Sequence, residues 1–400
     1  MSTAKIAVKN PLVELTGDEM AQVMWDMVKD KIFLSRLDVK LETFELSLRN
    51  RDVTHDRVTI DAAEAVMRCG VGLKCATITP SSAHAAELGL KRPWTSPNVT
   101  IRNMLGGTVF REPIMLPGLQ PLVSTWQQPI VIARHAYGDL FMAEEMDCWG
   151  PGKVEMVFSA ANGMEERRLL AELHGPGVVQ GMHNTDKSIR SFVRACLNYA
   201  LAEKRPLWFG SKETVSRIYH GRFSKIFAEE FAARKAEFEQ AGLEFVSGSI
   251  DDIVVKIIKS GGGMVWACMN YDGDIFTDLL AAGFGSRSLM SSVLHNPGGA
   301  YLFETAHGTI TRLYEKFRRG EPSSADPVAT IYAWSNALTK RGELDGTPEL
   351  VDFCRQVKQA VVETVEAGIM TKDILGLSGV TDREPDTTEG FINSVVERLD

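Results

Sequence analysis

The amino-acid sequence predicts an α/β protein. Three stretches, 58–80, 206–238 and 261–283, each place a β-rich apolar run beside a helical one. Strands that alternate with helices in this way are typical of a sheet covered by helices. The chain has 400 residues, 44% of them hydrophobic, which is enough material for more than one structural unit and a large core.

The remaining elements follow in order along the chain. An apolar segment at 5–15 precedes a helix expected from about residue 17 to residue 30. Asn-Gly at 162–163, between the strand-like runs VEMVFSA and RRLLAEL, predicts a β-hairpin, and its Pro- and Gly-rich borders mark it as an insertion. Beyond residue 329 the chain is expected to be helical, apart from a polar stretch at 378–390 before the last helix.

Composition excludes several classes of protein. A formal net charge of −8 without a basic block argues against a nucleic-acid partner. The six cysteines are scattered and form no CxxC pair, which indicates reduced thiols rather than disulfides or a zinc site. The sequence has no secretory signal core and no apolar run long enough to span a bilayer. We therefore expect a cytoplasmic protein that has no membrane partner.

Three arginines stand out because they border apolar runs. Arg102 and Arg111 lie on either side of a Leu-Gly-Gly turn, and Arg134 follows in VIARHAYGD. A guanidinium offers a planar fork of donors that matches a carboxylate, so three converging forks would bind a small, multiply anionic molecule. Three unrelated salt bridges are the more common explanation of such residues taken alone.

The segment NYDGDIFTDLL carries the strongest acidic cluster. We expect a strand to end at residues 270–271, a turn at Asp272, and a helix to begin near Asp274. Asp274 and Asp278 would then share one helical face, where a hard divalent cation could relieve their repulsion. Acidic residues at the start of a helix more commonly complement the helix dipole than bind a metal. The same explanation applies to Asp251 at the start of another predicted helix.

Nucleotide-binding motifs are incomplete. GFGSRS at 283–288 lacks the third glycine of a dinucleotide fingerprint and does not close a strand-to-helix turn. AHGTITR at 306–312 is a Gly- and Thr-rich loop that can present backbone N–H groups to a phosphate.

Taken together, six motifs resemble the isocitrate dehydrogenase family, and in particular its homodimeric NADP-dependent type. They are KCATITP (74–80), SPNVTIRN (96–103), GGTVFRE (106–112), RHAYGD (134–139), NYDGD (270–274) and AHGTITR (306–312). The resemblance extends from about Lys5 to Lys372 and implies an isocitrate/isopropylmalate dehydrogenase-like fold with a large and a small α/β domain plus a clasp. The implied segments are 1–105 (large domain), 106–138 (small domain), 139–186 (clasp), 187–284 (small domain) and 285–400 (large domain).

The resemblance also implies individual roles. Substrate contacts are expected from Thr79, Ser96, Asn98, Arg102, Arg111, Arg134 and Thr214. The catalytic residues would be Lys212, Arg134 and Asp274, and the metal ligands Asp251, Asp274 and Asp278. Cofactor contacts are expected from Lys74, Thr77, Thr79, Asn98, Lys259, His307, Gly308, Thr309, Ile310, Thr311, Arg312 and Asp326. Lys212, Asp251 and Lys259 would come from the other subunit of a homodimer with shared active sites.

Five positions depart from the family pattern, and one of them is His84, which replaces an arginine at the cofactor end. Phe141 replaces a catalytic tyrosine, and a phenyl ring has no proton to donate. Val99 replaces a glycine beside the expected contacts to the distal carboxylate. Leu313 replaces a histidine that touches the 2′-phosphate of NADP, and Asp326 replaces an asparagine near the adenine. An aspartate that repels a 2′-phosphate is typical of NAD sites.

The implied function is metal-dependent oxidative decarboxylation of isocitrate to 2-oxoglutarate and CO₂, with hydride transfer to NADP and with Mg²⁺ or Mn²⁺ as the metal. Because Arg312 and Lys259 remain, NADP is favoured over NAD. One alternative is the same chemistry on an isocitrate analogue, such as a phosphonate-bearing malate, with NAD as the alternative cofactor. Another is a catalytically silent subunit, which the retained Lys212 and Asp274 argue against.

Overall fold

A computed structural model describes residues 5–380 and 382–400, and a ten-stranded sheet forms its centre. The strands are β1 (Ile6–Ala7), β2 (Leu12–Thr16), β3 (Leu37–Asp38), β4 (Leu41–Glu45), β5 (Val71–Lys74), β6 (Thr108–Pro113), β7 (Val131–His135), β8 (Glu144–Cys148), β9 (Gly152–Ser159), β10 (Glu165–Leu173), β11 (Gly177–Gly181), β12 (Leu207–Ser211), β13 (Phe245–Ser249), β14 (Val265–Cys268), β15 (Met290–His295) and β16 (Tyr301–Thr305). The order in the central sheet is β13-β12-β14-β7-β6-β15-β16-β5-β2-β4.

Helices cover this sheet. They are α1 (Glu19–Val28), α2 (Leu48–Val53), α3 (Arg57–Cys69), α4 (Ser82–Glu87), α5 (Pro97–Leu105), α6 (Asp186–Ala202), α7 (Tyr219–Ala241), α8 (Ile250–Lys259), α9 (Asn270–Phe284), α10 (Thr311–Arg318), α11 (Val328–Asp345), α12 (Pro348–Glu366), α13 (Lys372–Leu375) and α14 (Thr388–Glu397). A π-helical segment, Lys29–Leu34, continues α1, and short 3₁₀ helices lie at Asp139–Met142 and Arg287–Leu289. The α/β prediction is confirmed.

The central sheet consists of two parallel halves joined by antiparallel strands. On one side, β13, β12, β14 and β7 are parallel, and on the other side β16, β5, β2 and β4 are parallel. Between them, β6 and β15 pair in antiparallel fashion with each other and with β7 and β16. The two parallel halves therefore run in opposite directions, and the antiparallel centre is where they meet.

Four hydrophobic clusters pack the helices against both faces of the sheet. On one face, α3 and α5 cover the half that contains β2, and α8 and α9 cover the half that contains β14. On the other face, α1, α11 and α12 cover the first half, and α6 and α7 cover the second. On the first face, the centre of the sheet therefore lies between α5 and α9.

Residues 144–181 lie outside the central sheet in two small antiparallel pairs. Strand β8 pairs with β11, and β9 pairs with β10 around the turn that contains Gly163. The predicted Asn-Gly hairpin is therefore confirmed. Large apolar side chains on these strands and in the turns between them are exposed: Met146, Trp149, Met156, Val157, Phe158, Met164, Leu169, Leu170 and Val178.

Two predicted helix starts differ from the structure. Helix α1 begins at Glu19 rather than near residue 17, and a π-helical extension continues it to Leu34. Helix α14 begins at Thr388, within the polar stretch 378–390 that was expected to precede it. Thr381 and residues 1–4 lie outside the described residues. Across the residues that the structure describes, no helix combines the length and apolar character needed to cross a membrane.

Candidate active site

A row of polar side chains crosses the centre of the sheet on the face that lies between α5 and α9. Arg111 on β6 pairs with Ser292 on β15, Ser292 with Glu304 on β16, and Glu304 with Lys74 on β5. Paired residues of adjacent strands point to the same face, so these four side chains stand next to one another. All four are buried, and buried charges persist where they are paired or serve a ligand.

Glu304 is the negative centre of this row. Its carboxylate accepts hydrogen bonds from Arg102 Nη2 at 2.8 Å and Ser292 Oγ at 3.2 Å, and Arg111 Nη2 lies 3.8 Å away. Burial alone would raise the pKa of Glu304, but the positive charges of Arg102, Arg111 and Lys74 outweigh it and lower this pKa to about 2. Glu304 is therefore ionised, and its single carboxylate faces the positive charges of Arg102, Arg111 and Lys74.

Arg134, at the end of β7, completes the cationic group. Its Nε donates to Asn270 Oδ1 at 2.9 Å, its Nη1 bonds Asp274, and its guanidinium lies 4.6 Å from the ring centroid of Phe141. Burial and the nearby charge of Arg102 lower the pKa of Arg134 to about 9.

Burial and repulsion from Arg102 also lower the pKa of Arg111. The electrostatic effect of one arginine on another shows that the three lie close together. The structure therefore meets the condition that the sequence argument set for a common receptor. This group carries more positive than negative charge, which favours the binding of an anion with several carboxylates.

The acidic pair Asp274 and Asp278 lies one turn apart on α9. The sequence prediction for this segment was wrong in its boundaries: β14 ends at Cys268 and α9 begins at Asn270, so residues 272–273 are helical and not a turn. Gly273 allows the close approach of Arg134, because a Cβ at this position would lie 2.8 Å from Cγ of Arg134. Both carboxylates are about half exposed; Asp278 pairs with Arg287 at 2.7 Å.

Lys212 and Asp251 form a separate ion pair. Lys212 follows β12 and Asp251 opens α8 after β13, and the parallel pairing of these strands brings their carboxyl ends together. Hydrogen bonding from Lys212 lowers the pKa of Asp251, and Ser249 Oγ also donates to it at 2.8 Å. No group of three acidic, histidine or cysteine side chains within the described residues could hold a metal ion. One chain therefore does not bring Asp251 to Asp274 and Asp278.

The first turns of α5 contribute the predicted polar contacts. Ser96 stands at the N-cap but forms no capping hydrogen bond with its side chain, so its hydroxyl is available. The Oδ1 atom of Asn98 is buried and has no hydrogen-bond partner in the described part of the chain. Asn98 and Arg102 are four residues apart and share a helical face, whereas Thr79 is exposed in the loop before α4.

The loop at 306–312 leads into α10 in a strained conformation. Ile310 has φ of +61°, which a β-branched residue rarely adopts, and Thr311 begins the helix. Thr309 O accepts from Ala21 N at 3.2 Å, and Thr311 Oγ1 donates to Glu19 at 2.6 Å.

The side chains at the start of this loop are open to a ligand. The Nδ1 atom of His307 lies 2.8 Å from Gly308 O, while its Nε2 atom is buried without a partner among the described residues. Burial lowers the pKa of His307, so its ring is neutral at pH 7. Arg312 is exposed. A helix N-terminus with free polar groups suits a phosphate.

Lys74 lies beneath this region in the polar row. It is only 2% exposed, and its Nζ donates to Cys75 O at 2.9 Å and approaches Thr77 Oγ1 at 3.5 Å. Burial lowers the pKa of Lys74, and this effect exceeds the opposing attraction of Glu304.

Asp326 is buried in this structure, and its surroundings disfavour the charged carboxylate, which changes the sequence argument. The residue is 1% exposed, its Oδ1 accepts from Val328 N at 3.1 Å, and its N–H donates to Asp373 at 3.1 Å. Burial and the carboxylate of Asp373 raise the pKa of Asp326 well above its usual value. A raised pKa weakens the argument that this carboxylate repels a 2′-phosphate, so the residue does not by itself indicate NAD.

Two further predicted site residues, Thr214 and Lys259, lie at exposed positions. Thr214 follows Lys212 in an exposed turn and lines a cavity of about 560 Å³ with Ser249 and Arg217. Lys259 is exposed in the last turn of α8.

Sequence reasoning missed Glu304, Ser292 and Asn270. Glu304 had a detectable signal, because a single acidic residue stands inside the apolar strand YLFET. Asn270 belongs to the NYDGD motif but was assigned to a strand end. Ser292 has no distinguishing signal in the sequence, since its role follows only from strand pairing.

Comparisons with known proteins show the family of this chain. The family model described as isocitrate/isopropylmalate dehydrogenase matches residues 7–395. The mitochondrial isocitrate dehydrogenase [NADP] of Candida tropicalis is 47% identical over 99% of this chain and 93% of its own length. Isocitrate dehydrogenase [NADP] 1 of Mycobacterium tuberculosis is 45% identical, covering 100% and 99% of the two chains, and that of Sphingobium yanoikuyae is 45% identical, covering 99% and 98%. The chain therefore belongs to the isocitrate/isopropylmalate dehydrogenase family.

Proposed function

We propose that this protein catalyses the oxidative decarboxylation of isocitrate to 2-oxoglutarate and CO₂ with NADP as the hydride acceptor. The observation that carries the proposal is the convergence of Arg102, Arg111 and Arg134 at the sheet centre, next to Asp274 on α9. Relatives that share about half of its residues bear the name isocitrate dehydrogenase [NADP], which supports the same substrate and cofactor. A phosphonate analogue as the true substrate has no support from these relatives.

The substrate is a trianion, and its charge fits the site. Besides burial, the charge of Arg102 lowers the pKa values of Arg111 and Arg134, so a bound carboxylate group would relieve repulsion that Glu304 only partly offsets. At the start of α5, Ser96 adds a free hydroxyl and Asn98 an amide group whose Nδ2 can donate to a carboxylate, and Thr79 lies in the preceding loop. We assign these residues to the distal carboxylate of the substrate.

The α9 carboxylates fit a hard divalent ion. Asp274 and Asp278 offer oxygen ligands, and in this structure each is paired with an arginine, as expected for acidic groups that need a counter-charge. When bound, Mg²⁺ or Mn²⁺ would supply Lewis acidity toward the substrate hydroxyl and the carbonyl it becomes. We propose Asp251 of a second copy as the third protein ligand.

The cofactor fits the region from Lys74 to α10. Unpartnered buried atoms at Asn98 Oδ1, His307 Nε2 and Asp326 Oδ2 are available for hydrogen bonds to a ligand. We assign the phosphates to the strained loop and the N-terminus of α10, with the remaining contacts from Lys74, Thr77, Thr79, Lys259, Gly308, Thr309, Ile310, Thr311 and Arg312. The retained Arg312 favours NADP over NAD.

Individual side chains have separate roles in the reaction. Arg134 holds a carboxylate of the substrate beside the reacting carbon, and Phe141 packs against its guanidinium. The ring of Phe141 has no hydroxyl, so the proton that completes the reaction after CO₂ loss comes from Lys212 or from water. Lys212 has the ionisable ammonium required for such a transfer.

We propose a homodimer in which each active site takes Lys212, Thr214, Asp251 and Lys259 from the partner. In one chain, Asp251 pairs with Lys212, whereas Asp274 and Asp278 each pair with an arginine, and this supports the arrangement. The exposed apolar side chains between residues 144 and 181 form a surface of the kind buried between subunits, and we assign it to a second copy of this chain.

The domain boundaries proposed from the sequence are retained, with 139–186 as the clasp. The two small strand pairs of this segment support that boundary, because they lie outside the central sheet. All six cysteines are free thiols, which supports the cytoplasm as the proposed location.

A steady-state assay tests the function. Purified protein is mixed with isocitrate, Mg²⁺ or Mn²⁺, and NADP or NAD, and both the reduced nicotinamide and 2-oxoglutarate are measured. We expect turnover with NADP, loss of turnover in Arg134→Ala, and retained turnover in the control Arg92→Ala, whose guanidinium stacks on Trp94 outside the site. Absence of turnover with either cofactor would overturn the proposal.

A further inference from the structure

Asp139 occupies an unusual position immediately after the RHAYG motif. It is 4% exposed and has φ of +54°, in the left-handed region that residues other than glycine rarely adopt. Gly138 before it has φ of +72°, and a Cβ there would lie 2.6 Å from His183 O. Such strain persists where surrounding contacts hold it in place and where the side chain has a task.

The carboxylate of Asp139 caps helix α9. Its Oδ2 accepts the backbone N–H of Asn270 at 2.9 Å and that of Tyr271 at 3.4 Å. Residue Met269, at the N-cap of α9, offers no side-chain hydrogen bond of its own. An external carboxylate therefore satisfies the free N–H groups and complements the positive end of the helix dipole.

The capped end of α9 is linked directly to the arginine group. Asn270 Nδ2 donates to Gly138 O at 3.2 Å, and Asn270 Oδ1 accepts from Arg134 Nε at 2.9 Å. One turn further along α9, Asp274 bonds the same guanidinium. A shift of the helix start would therefore move both Arg134 and Asp274.

Tyr219 holds the other oxygen of Asp139. Its hydroxyl lies 2.6 Å from Asp139 Oδ1 and 3.0 Å from His183 O, and a single proton is donated preferentially to the nearer, charged acceptor. Asn184 Nδ2 donates to the same hydroxyl oxygen at 3.3 Å. Tyr219 thus joins α7, the carboxylate and the chain just after β11.

We propose that Asp139 and Tyr219 are positioning residues that fix the start of α9 and so align Asp274 with Arg134. The inference rests on the proposed function, in which Asp274 binds the metal and Arg134 binds the substrate. Because Tyr219 also contacts residues 183–184, the end of the proposed clasp is tied to the helix that carries the metal ligands. A subunit contact at the clasp is therefore linked to the active site through Tyr219 and Asp139.

Three variants and one control test this proposal. Tyr219→Phe removes only the hydroxyl, and Asp139→Ala removes the cap. Asp139→Asn tolerates the left-handed conformation and keeps an oxygen for α9 and an amide for Tyr219. Tyr199→Phe is the matched control, because this tyrosine is also largely buried but packs on Phe110 outside the network. The measurements are kcat and KM for isocitrate, Mn²⁺ binding followed by the spectrum of the free ion, and Tm.

We expect Tyr219→Phe to weaken Mn²⁺ binding and lower kcat by about tenfold each, and Asp139→Ala by about a hundredfold. Asp139→Asn should restore both to within about threefold of the wild type, and Tyr199→Phe should match the wild type. Wild-type Mn²⁺ binding and kinetics in Tyr219→Phe and Asp139→Ala, with only Tm lowered, would overturn the proposal.

A failure of Asp139→Asn to improve on Asp139→Ala would overturn it as well. Because Mn²⁺ binding is measured without turnover, its result stands apart from the proposed function. A wild-type protein that binds Mn²⁺ but does not oxidise isocitrate would contradict that function alone.

Discussion

Replacing Glu304 with glutamine removes the negative charge that Arg102, Arg111 and Lys74 surround. The pKa of Glu304 falls from its ordinary value of 4.5 to about 2 in the folded protein. At about 1.4 kcal/mol for each pH unit, this difference stabilises the folded state by about 3 kcal/mol at neutral pH. Glutamine keeps the shape and one acceptor for Arg102, so the change isolates the charge.

The pH dependence of this stabilisation has a definite sign. Because the folded-state pKa is lowered, the carboxylate stabilises the protein fully above pH 4.5, and the stabilisation is lost as the pH falls toward about 2. The difference in unfolding free energy between wild type and Glu304→Gln should therefore be about 3 kcal/mol near pH 7 and less than half of that near pH 3.

Urea denaturation of both proteins across this pH range measures the difference. Glu321→Gln is the matched control, because this exposed carboxylate pairs with Arg319 at the surface and should contribute less than about 1 kcal/mol. Equal stability of Glu304→Gln and wild type near neutral pH, or a difference that does not shrink in acid, would refute the charge balance derived for this row.

Three further predictions concern catalysis. Asp274→Asn should abolish activity with little loss of stability, since it removes a metal oxygen from a half-exposed helix position; a chelator should likewise inactivate the wild type. Mixing inactive Lys212→Met with inactive Arg134→Ala protein should restore part of the activity after subunit exchange, because one hybrid site receives both wild-type residues. Phe141→Tyr should raise kcat for isocitrate by up to about 10²-fold by supplying a proton donor, with backup from Lys212 or water making the gain smaller.

One result would contradict each of these three predictions. Full activity in excess chelator would contradict the metal assignment. No recovery in demonstrated heterodimers would indicate self-contained sites. Efficient isocitrate turnover in the wild type that Phe141→Tyr leaves unchanged would show that the ring of Phe141 serves only to hold Arg134.

Much of the site was predictable because it lies in local motifs. The three arginines, Lys212 and the α9 acids are separated by long stretches of chain, but each stands in a short pattern that resembles one family. The start of α9 was mispredicted for a physical reason: Asp-Gly favours a turn locally, whereas Asp139 caps the helix from a distant segment and Arg134 fills the space beside Gly273.

The sequence by itself determined the alternation of strands and helices, because apolar periodicity and turn residues act between near neighbours. It also determined which charged residues were available. Only the tertiary structure decided which charges meet: strand pairing places Glu304 in a row between Arg111 and Lys74. Burial opposes the ionisation of Glu304, but the neighbouring cations lower its pKa, whereas burial raises the pKa of Asp326. Register, burial and the mutual repulsion of charges depend on residues far apart in the chain, so the sequence pattern does not specify them.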